Sequence, residues 1–316
     1  MNNTIIQTFN LTKIFGNETL AVDNLAINVK PGIYGFLGPN GAGKTTTLKM
    51  LIGSLYPTRG KIEIFGKNAF GKNKIEIHKR IGYVPENPTY FMNMTGERLL
   101  EYIGALFNMS QQEINSRVSS LLRLVDLSDA KNRSIAKFSA GMKQRIGIAQ
   151  ALMNDPDLLI LDEITSNLDP LGRNHIIGLI KDLKKEGKTI LISTHVLPEI
   201  QKMEADSIGI INKGQLIMEG SIKELNERLG TRLVRLSPNN PKIYNAIESF
   251  AINLRDSLNE LIFETENIEE VWKAITKLSL EENILIDKFI SSGLEIEQIF
   301  MKALDNNPEF NKGDVI

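Results

Sequence analysis

The sequence predicts an α/β fold built around a phosphate-binding loop, followed by a smaller α+β region. Three observations carry that prediction. Gly38-Pro39-Asn40-Gly41-Ala42-Gly43-Lys44-Thr45 fits G-x-x-x-x-G-K-[ST]. It lies between a short apolar strand, Ile33 to Leu37, and a helical pattern from Thr45 to Ile52. Downstream, Asp157-Leu158-Leu159-Ile160-Leu161-Asp162-Glu163 is an apolar run closing on two carboxylates, as expected of a central parallel strand buried on both faces.

The whole chain is compatible with this. Its 316 residues allow one large domain or two ordinary ones. It is 42% hydrophobic and 24% charged, with mean hydropathy −0.13, the composition of a soluble globular protein. A net charge of −1 gives no general pull toward nucleic acid or an anionic membrane. The absence of cysteine excludes disulfides, thiolate metal sites and cysteine nucleophiles. No apolar run is long enough for a bilayer span, and Met1-Asn2-Asn3-Thr4 lacks the basic and apolar regions of a signal peptide. The expected location is the cytoplasm.

In chain order, Ile5 to Thr12 and Leu25 to Val29 read as strands, with Gly16-Asn17 and Lys30-Pro31-Gly32 as turns. Phe15, in the first loop region, either stacks on an adenine ring or is buried in the local core. Lys61 to Phe65 is a strand, Lys72 to Arg80 a helix, and Ile81 to Val84 a strand leading into Glu86. From Thr95 the texture is helical. Thr95 caps one helix, and Ser110-Gln111-Gln112-Glu113 is a capping box for a second, with Ile114, Val118, Leu121, Leu122 and Val125 on one face. A further helix runs from Met142 to Met153. After the carboxylate strand come a helix from Pro170 to Glu186, a strand from Thr189 to Ser193 ending at His195, and strands at Ile208 to Asn212 and Gln215 to Glu219. Ser221 caps a short helix ending near Gly230. Beyond it the pattern restarts, with strands at Arg232 to Leu236, Leu261 to Thr265 and Ile284 to Ile290, and helices at Lys242 to Phe250, Ile268 to Leu280 and Leu294 to Asp305. A polar, frayed tail follows from Asn306.

Glycines in the loop let successive N–H groups turn onto phosphate oxygens, and the helix start adds positive charge. Lys44 is expected to reach the β- and γ-phosphates and the Thr45 hydroxyl to ligate Mg²⁺. Hydrolysis also needs a metal-holding carboxylate and a group that orients water. Asp162 suits the first task and Glu163 the second. His195, ending a strand beside the carboxylate strand, can bond the γ-phosphate and hold Glu163 and water in place. Ser139-Ala140-Gly141 opens a helix. It is either an ordinary cap or a second anion site that closes on nucleotide held by another protomer.

In this order the motifs resemble those of the ATP-binding-cassette (ABC) ATPases. Gly38 to Thr45 matches the Walker A motif and Phe138-Ser139-Ala140-Gly141-Met142-Lys143-Gln144-Arg145 the signature. Leu158 to Glu163 matches Walker B, Ser166-Asn167-Leu168-Asp169 the D-loop, and His195 the switch histidine. The resemblance implies a cassette over residues 1–230, with a β-subdomain, a mixed or parallel RecA-like core and a helical subdomain at about 95–155. Residues 231–316 are expected to form the small α+β accessory domain. The implied nucleotide contacts are Phe15, Asn40, Gly41, Ala42, Gly43, Lys44, Thr45, Thr46, Glu86, Ser139, Gly141 and Asp169. Mg²⁺ is expected on Thr45, Glu86 and Asp162, and catalysis from Glu163, His195 and Lys44. Two copies, alike or different, are expected to clamp two ATP molecules and drive transmembrane permease subunits carried on other chains.

The sequence departs from the family pattern at several points. Glu86 stands where the family has the Q-loop glutamine, adding negative charge near the phosphates. Phe138, Ala140 and Met142 replace Leu, Gly and Gln, Ile164 replaces a proline, and Phe15 stands where Tyr is common. Gly141 to Arg145, Ile192 to His195 and the run from Leu294 to Phe300 resemble the subunits of ABC-2-type exporters. The alternative class is a soluble cassette acting on DNA or ribosomes. It lacks support, because there is no long coiled-coil insertion, no second P-loop and no basic stripe; no nucleic acid partner is expected. Tyr90, Phe91 and Met92 are either a docking surface for the membrane partner or internal core. The accessory domain is either a small-molecule regulator or a dimer prop.

Overall fold

The structure is a computed structural model and describes residues 4–16, 18–166 and 168–305. Asn17 of the first turn, Asn167 of the D-loop run and the tail from Asn306 lie outside the described residues. The chain divides into two compact units, one reaching Glu219 and the other starting at Gly220.

The first unit opens with β1 (Ile6–Phe15), β2 (Thr19–Leu25) and β3 (Asn28–Val29). Then come β4 (Ile33–Leu37), α1 (Lys44–Leu51), β5 (Arg59–Ile64), β6 (Lys67–Asn68), α2 (Lys74–His78) and β7 (Ile81–Val84). Next are α3 (Gly96–Leu106), α4 (Gln111–Leu124), α5 (Ala140–Ala151), β8 (Leu158–Asp162) and α6 (Pro170–Lys185). The unit closes with β9 (Thr189–Thr194), α7 (Leu197–Lys202), β10 (Ser207–Asn212) and β11 (Gln215–Gly220).

Among the described residues, β2, β1, β5 and β6 form one antiparallel sheet in that order, with β3 also on β1. The second sheet has the order β11-β10-β4-β9-β8-β7. From β10 to β7 its neighbours are all parallel. Every residue of β4, β8 and β9 is buried, so their burial does not alternate; apolar side chains predominate, and the polar ones gather at strand ends, Asp162 on β8 and Thr189, Ser193 and Thr194 on β9. Parallel strands leave all their C-terminal ends at one edge, where ligands of open α/β sheets bind. The loops after β4, β7, β8 and β9 all emerge there.

The helical insertion is built locally. The Thr95 side chain accepts from Arg98 N at the start of α3, and Ser110 and Glu113 form a reciprocal capping box at α4. The predicted face of α4, Ile114, Val118, Leu121 and Leu122, is buried.

The second unit contains α8 (Ile222–Leu229), β12 (Arg232–Ser237), α9 (Pro241–Ile247), β13 (Ile252–Ser257) and β14 (Glu260–Thr265). It ends with α10 (Ile268–Glu282), β15 (Lys288–Gly293) and α11 (Ile296–Asp305). Its sheet, β13-β14-β12-β15, is antiparallel throughout. Omitting α8 and α11, this is the β-α-β-β-α-β arrangement of ferredoxin-like domains. Val234, Leu236, Leu261 and Phe263 share a core with Ile243 and Ile247 of α9 and Val271 and Ile275 of α10.

Several expectations need correction. Phe15 ends β1 rather than lying in a loop. The strand expected over 25–29 is two pieces, β3 and the end of β2, and most of β2 was not anticipated. Its sequence Thr-Leu-Ala-Val-Asp-Asn-Leu buries only Val22 and Leu25, so the apolar signal is thin. β13, also outside the expected strands, has an equally thin signal: none of its residues is buried. β15 lies several residues later than the apolar run Ile284 to Ile290, because pairing with β12 extends through Ser291, Ser292 and Gly293. α7 lies outside the expected elements; Pro198 sits in its first turn, where proline is accepted.

Candidate active site

A cleft of about 390 Å³ opens at the C-terminal edge of the parallel sheet. Its lining is Ala21, Asn40, Gly41, Gly43, Lys44, Thr45, Thr46, Glu86, Glu163, Ser166 and His195. A larger open groove, about 1100 Å³, runs over β1, β5 and β11 and contains none of the predicted site residues.

The loop after β4 depends on glycine at two points. Gly43 has φ 101°, and a Cβ there would stand 2.4 Å from the Ala21 carbonyl oxygen. A Cβ on Gly38 would stand 2.4 Å from the Ile211 carbonyl oxygen. Lys44 begins α1 and is 5% exposed. Its Nζ folds back over the loop, donating to the carbonyls of Gly38 at 2.6 Å and Pro39 at 3.1 Å. It also lies 3.2 Å from Glu163 Oε1. One ammonium thus bridges the loop and the carboxylate strand.

Asp162 ends β8 and is 1% exposed. Burial pushes its pKa up, against the hydrogen bonds from Ser193 and Thr45. The Ser193 hydroxyl donates to Oδ1 at 2.6 Å and the Thr45 hydroxyl to the same atom at 3.3 Å. Glu163 leaves the strand with φ 49°, a left-handed conformation that costs of order 1–3 kcal/mol for a non-glycine residue. Its N–H holds to Ser193, at 3.1 Å from Oγ and 3.2 Å from the carbonyl. Its Oε2 accepts from the Ser166 hydroxyl at 2.9 Å and lies 2.8 Å from His195 Nδ1. Burial raises the Glu163 pKa, but Lys44, Ser166 and His195 together outweigh it and hold the carboxyl below its ordinary range. Asp162, Thr45 and Glu86 offer hard oxygen donors beside the phosphate loop, a set that suits Mg²⁺, which takes few protein ligands and keeps waters or phosphate oxygens.

The predicted residues Asn40, Gly41, Gly43, Lys44, Thr45, Thr46, Glu86, Glu163 and His195 therefore meet in one cleft, with Asp162 beneath Thr45. Ala42 is buried in the loop, its N–H turned to the Pro39 carbonyl. Phe15, Ser139, Gly141 and Asp169 do not line the cleft. The Phe15 ring is exposed, with Lys13 Nζ 5.1 Å from its centroid. The Ser139 Oγ caps α5 by accepting from Met142 N at 3.2 Å, and Asp169 Oδ1 caps α6 by accepting from Gly172 N at 2.7 Å. The first turn of α5 instead reaches an adjoining cleft of about 300 Å³, where Ala140, Lys143 and Gln144 face Glu86 and Glu163. Tyr90 is not free surface: its hydroxyl donates to the Lys143 carbonyl at 2.8 Å, whereas Phe91 and Met92 are exposed. Ser193 and Ser166 join the site from outside the expected residues. The signal for Ser193 is the parallel register that sets Asp162 opposite it.

Comparison with known proteins gives one answer. The family model described as "ABC transporter" matches residues 22–166. Over 304 residues the chain is 40% identical to the bacitracin transport ATP-binding protein BcrA of Bacillus licheniformis, covering 95% of this chain and 97% of BcrA. It is 37% identical to the daunorubicin/doxorubicin resistance ATP-binding protein DrrA of Streptomyces peucetius, over 73% of this chain and 69% of DrrA. Among solved structures, a dimeric post-hydrolysis ATP-binding cassette bound to ADP and Pi superposes with TM-score 0.62 at 26% identity, over 69% of this chain and 98% of that one.

Proposed function

The chain belongs to the ATP-binding subunits of ABC transporters, and from that premise we propose which residues carry hydrolysis and what the hydrolysis drives. Family membership makes it an ATP-binding, ATP-hydrolysing cassette that works with membrane permease subunits. The observation that carries the residue assignment is the convergence of Lys44, Ser166 and His195 on the Glu163 carboxylate at the mouth of the phosphate loop.

In this reading the loop amides from Gly41 to Thr46, other than the Ala42 N–H that is turned to the Pro39 carbonyl, bind the phosphates, and Lys44 moves from Glu163 to the β- and γ-phosphates. Thr45, Asp162 and Glu86 hold Mg²⁺, which when bound neutralises charge on the phosphate oxygens. Removing the Lys44 ammonium takes away the charge that most lowers the Glu163 pKa. The freed carboxylate is then a better acceptor for a water proton. Glu163 orients that water for in-line attack; the new P–O bond forms as the β–γ bridge breaks, giving ADP and phosphate. His195 holds Glu163 by its Nδ1 side. Phe15 stacks on the adenine, and Ser139, Gly141 and Asp169 act on nucleotide held by a second ATPase subunit.

The division into a nucleotide-binding domain over 1–230 and an accessory domain over 231–316 belongs to this reading. So does attachment to the cytoplasmic face of a membrane. No helix among the described residues is long and apolar enough to cross a bilayer. Exposed Phe91 and Met92, next to the helical insertion, form part of the permease docking surface. Relatives named for bacitracin transport and for daunorubicin/doxorubicin resistance support ABC-2-type export. The near full-length match to such a subunit leaves the DNA or ribosome alternative without support.

The test is Glu163→Gln. It is expected to bind ATP, to lose hydrolysis by about 10²-fold or more, and to accumulate as an ATP-bound dimer in sedimentation. Hydrolysis at the parental rate would overturn the role assigned to Glu163.

A further inference from the structure

Glu199 is a buried carboxylate that the chemistry above leaves unused. It lies on α7 and is 4% exposed. Its Oε2 accepts a hydrogen bond from the fully buried Thr165 hydroxyl. Its Oε1 has no hydrogen-bond partner and lies 3.7 Å from Arg173 Nε. The same Arg173 Nε–H donates to the Leu168 carbonyl at 3.0 Å. Glu199 therefore grips, from one side, both the turn that follows Glu163 and the base of α6.

With its own backbone Glu199 also joins the two segments that hold Glu163, the turn bearing Ser166 and the segment bearing His195. The turn is self-bonded: Ser166 N donates to the Glu163 carbonyl at 3.3 Å and Leu168 N to the Thr165 carbonyl at 3.2 Å. Thr165 is in the same turn as Ser166, its chain neighbour, whose hydroxyl binds Glu163 Oε2. On the other side, Val196 N donates to Thr194 Oγ1 at 2.9 Å and Glu199 N to the Val196 carbonyl at 3.2 Å. That ties Glu199 to the segment bearing His195, whose Nδ1 meets the same Oε2. His195 is otherwise loosely held: its side chain is 43% exposed.

A carboxylate is a poor choice for filling this space. Burying one costs several kcal/mol unless it is well paired, and an apolar side chain fills the same volume without that cost. Here the pairing is one hydroxyl and one offset guanidinium. The carboxylate stands at the junction of the two segments that grip the same oxygen, where its placement serves geometry better than stability.

We propose that Glu199 is a positioning residue for hydrolysis: through Thr165 and Arg173 it sets the turn after Glu163 against the segment after β9, so that Ser166 and His195 meet on one oxygen of Glu163. The proposal rests on the assignment of Glu163 as the group that handles water.

The test measures kcat and KM for ATP in the full chain, with ATP affinity by calorimetry and folding by thermal melt. Glu199→Ala and Thr165→Val are expected to lower kcat by about 10- to 100-fold, since small misplacements of a reacting group cost that much. ATP affinity should stay within about twofold of parental, because the phosphate loop is untouched. Thr165→Ser keeps the hydroxyl and should restore most of the rate lost in Thr165→Val. In a His195→Ala background, Glu199→Ala should add little further loss, because groups acting as one unit are not additive. A folded Glu199→Ala at parental kcat, or losses that multiply with His195→Ala, would overturn the proposal. If Glu199→Ala does not fold, equal rates for Thr165→Val and Thr165→Ser would overturn it instead. Glu163→Gln is the control: if it hydrolyses ATP normally the underlying assignment fails, whereas if it is inactive and Glu199→Ala is normal, only this inference fails.

Discussion

At the residue scale, Lys44 and Glu163 stabilise each other in the nucleotide-free protein, and each is needed elsewhere once nucleotide binds. Lys44 Nζ can satisfy the loop carbonyls and Glu163, or the phosphates, but not both sets. Lys44→Ala should therefore weaken ATP binding by at least about tenfold, the loss of one charge-assisted contact; unaltered affinity in calorimetry would contradict the assignment. The same pair sets a pH dependence. The Glu163 carboxyl is held below its ordinary value of 4.5. Its contribution to stability is fully present above that value and is lost as pH falls through the lowered one. Asp162 acts in the opposite sense: its raised pKa makes the charged form costly in the fold, and acidification relieves that cost. Urea unfolding of the nucleotide-free protein across the acid range should show stability falling more steeply with acid in the parental chain than in Glu163→Gln. Parallel curves would show that the Lys44 contact does not stabilise the carboxylate.

At the element scale, glycines and caps are expected to behave differently although both lie at helix starts. Gly43→Ala must hold φ 101° and place a Cβ 2.4 Å from the Ala21 carbonyl oxygen. The strain is about 1–3 kcal/mol, and the loop must shift, so both stability and ATP binding should fall. Ser110→Ala removes half of the α4 capping box and should cost about 1 kcal/mol in urea unfolding while leaving hydrolysis at its parental rate. This contrast follows what was legible in the sequence. Gly43 and Ser110 announce themselves through local spacing, and local rules govern the φ of one and the cap of the other. The buried strands β4, β8 and β9 are legible because parallel strands covered on both faces carry unbroken apolar runs, here Ile33 to Leu37, Leu158 to Leu161 and Ile190 to Ile192. β2 and β13 are not, since their pairing is chosen by backbone partners and few of their side chains enter a core. Ser193 is invisible for a related reason. Nothing near it in sequence points to Asp162 or Glu163; only the register of β8 on β9 brings them together. Glu199 and Thr165 are joined by the same kind of long-range placement.

At the scale of the whole molecule, one chain carries the phosphate loop, the carboxylates and His195 in its cleft, while Ser139, Gly141 and Asp169 are absent from that cleft's lining. Ser139 is exposed at the tip of α5, and its hydroxyl caps its own helix by accepting from Met142 N. In the proposed function a second ATPase subunit supplies that tip to the nucleotide. Ser139→Asp separates the two roles of the residue. Aspartate caps a helix about as well as serine, so α5 should stay intact. Its negative charge, however, opposes a phosphate and cannot donate to one. Loss of a hydrogen bond to a charged group costs about 1.5–3 kcal/mol. In a symmetric pair the loss occurs twice, so the dimer dissociation constant should rise by about 10²- to 10⁴-fold. Introduced into Glu163→Gln, Ser139→Asp is expected to leave each chain able to bind ATP by calorimetry, yet to abolish the ATP-dependent dimer in sedimentation. A double variant that binds ATP and still sediments as a dimer would mean that Ser139 takes no part in joining the two copies, and the clamp would have to be built from other residues.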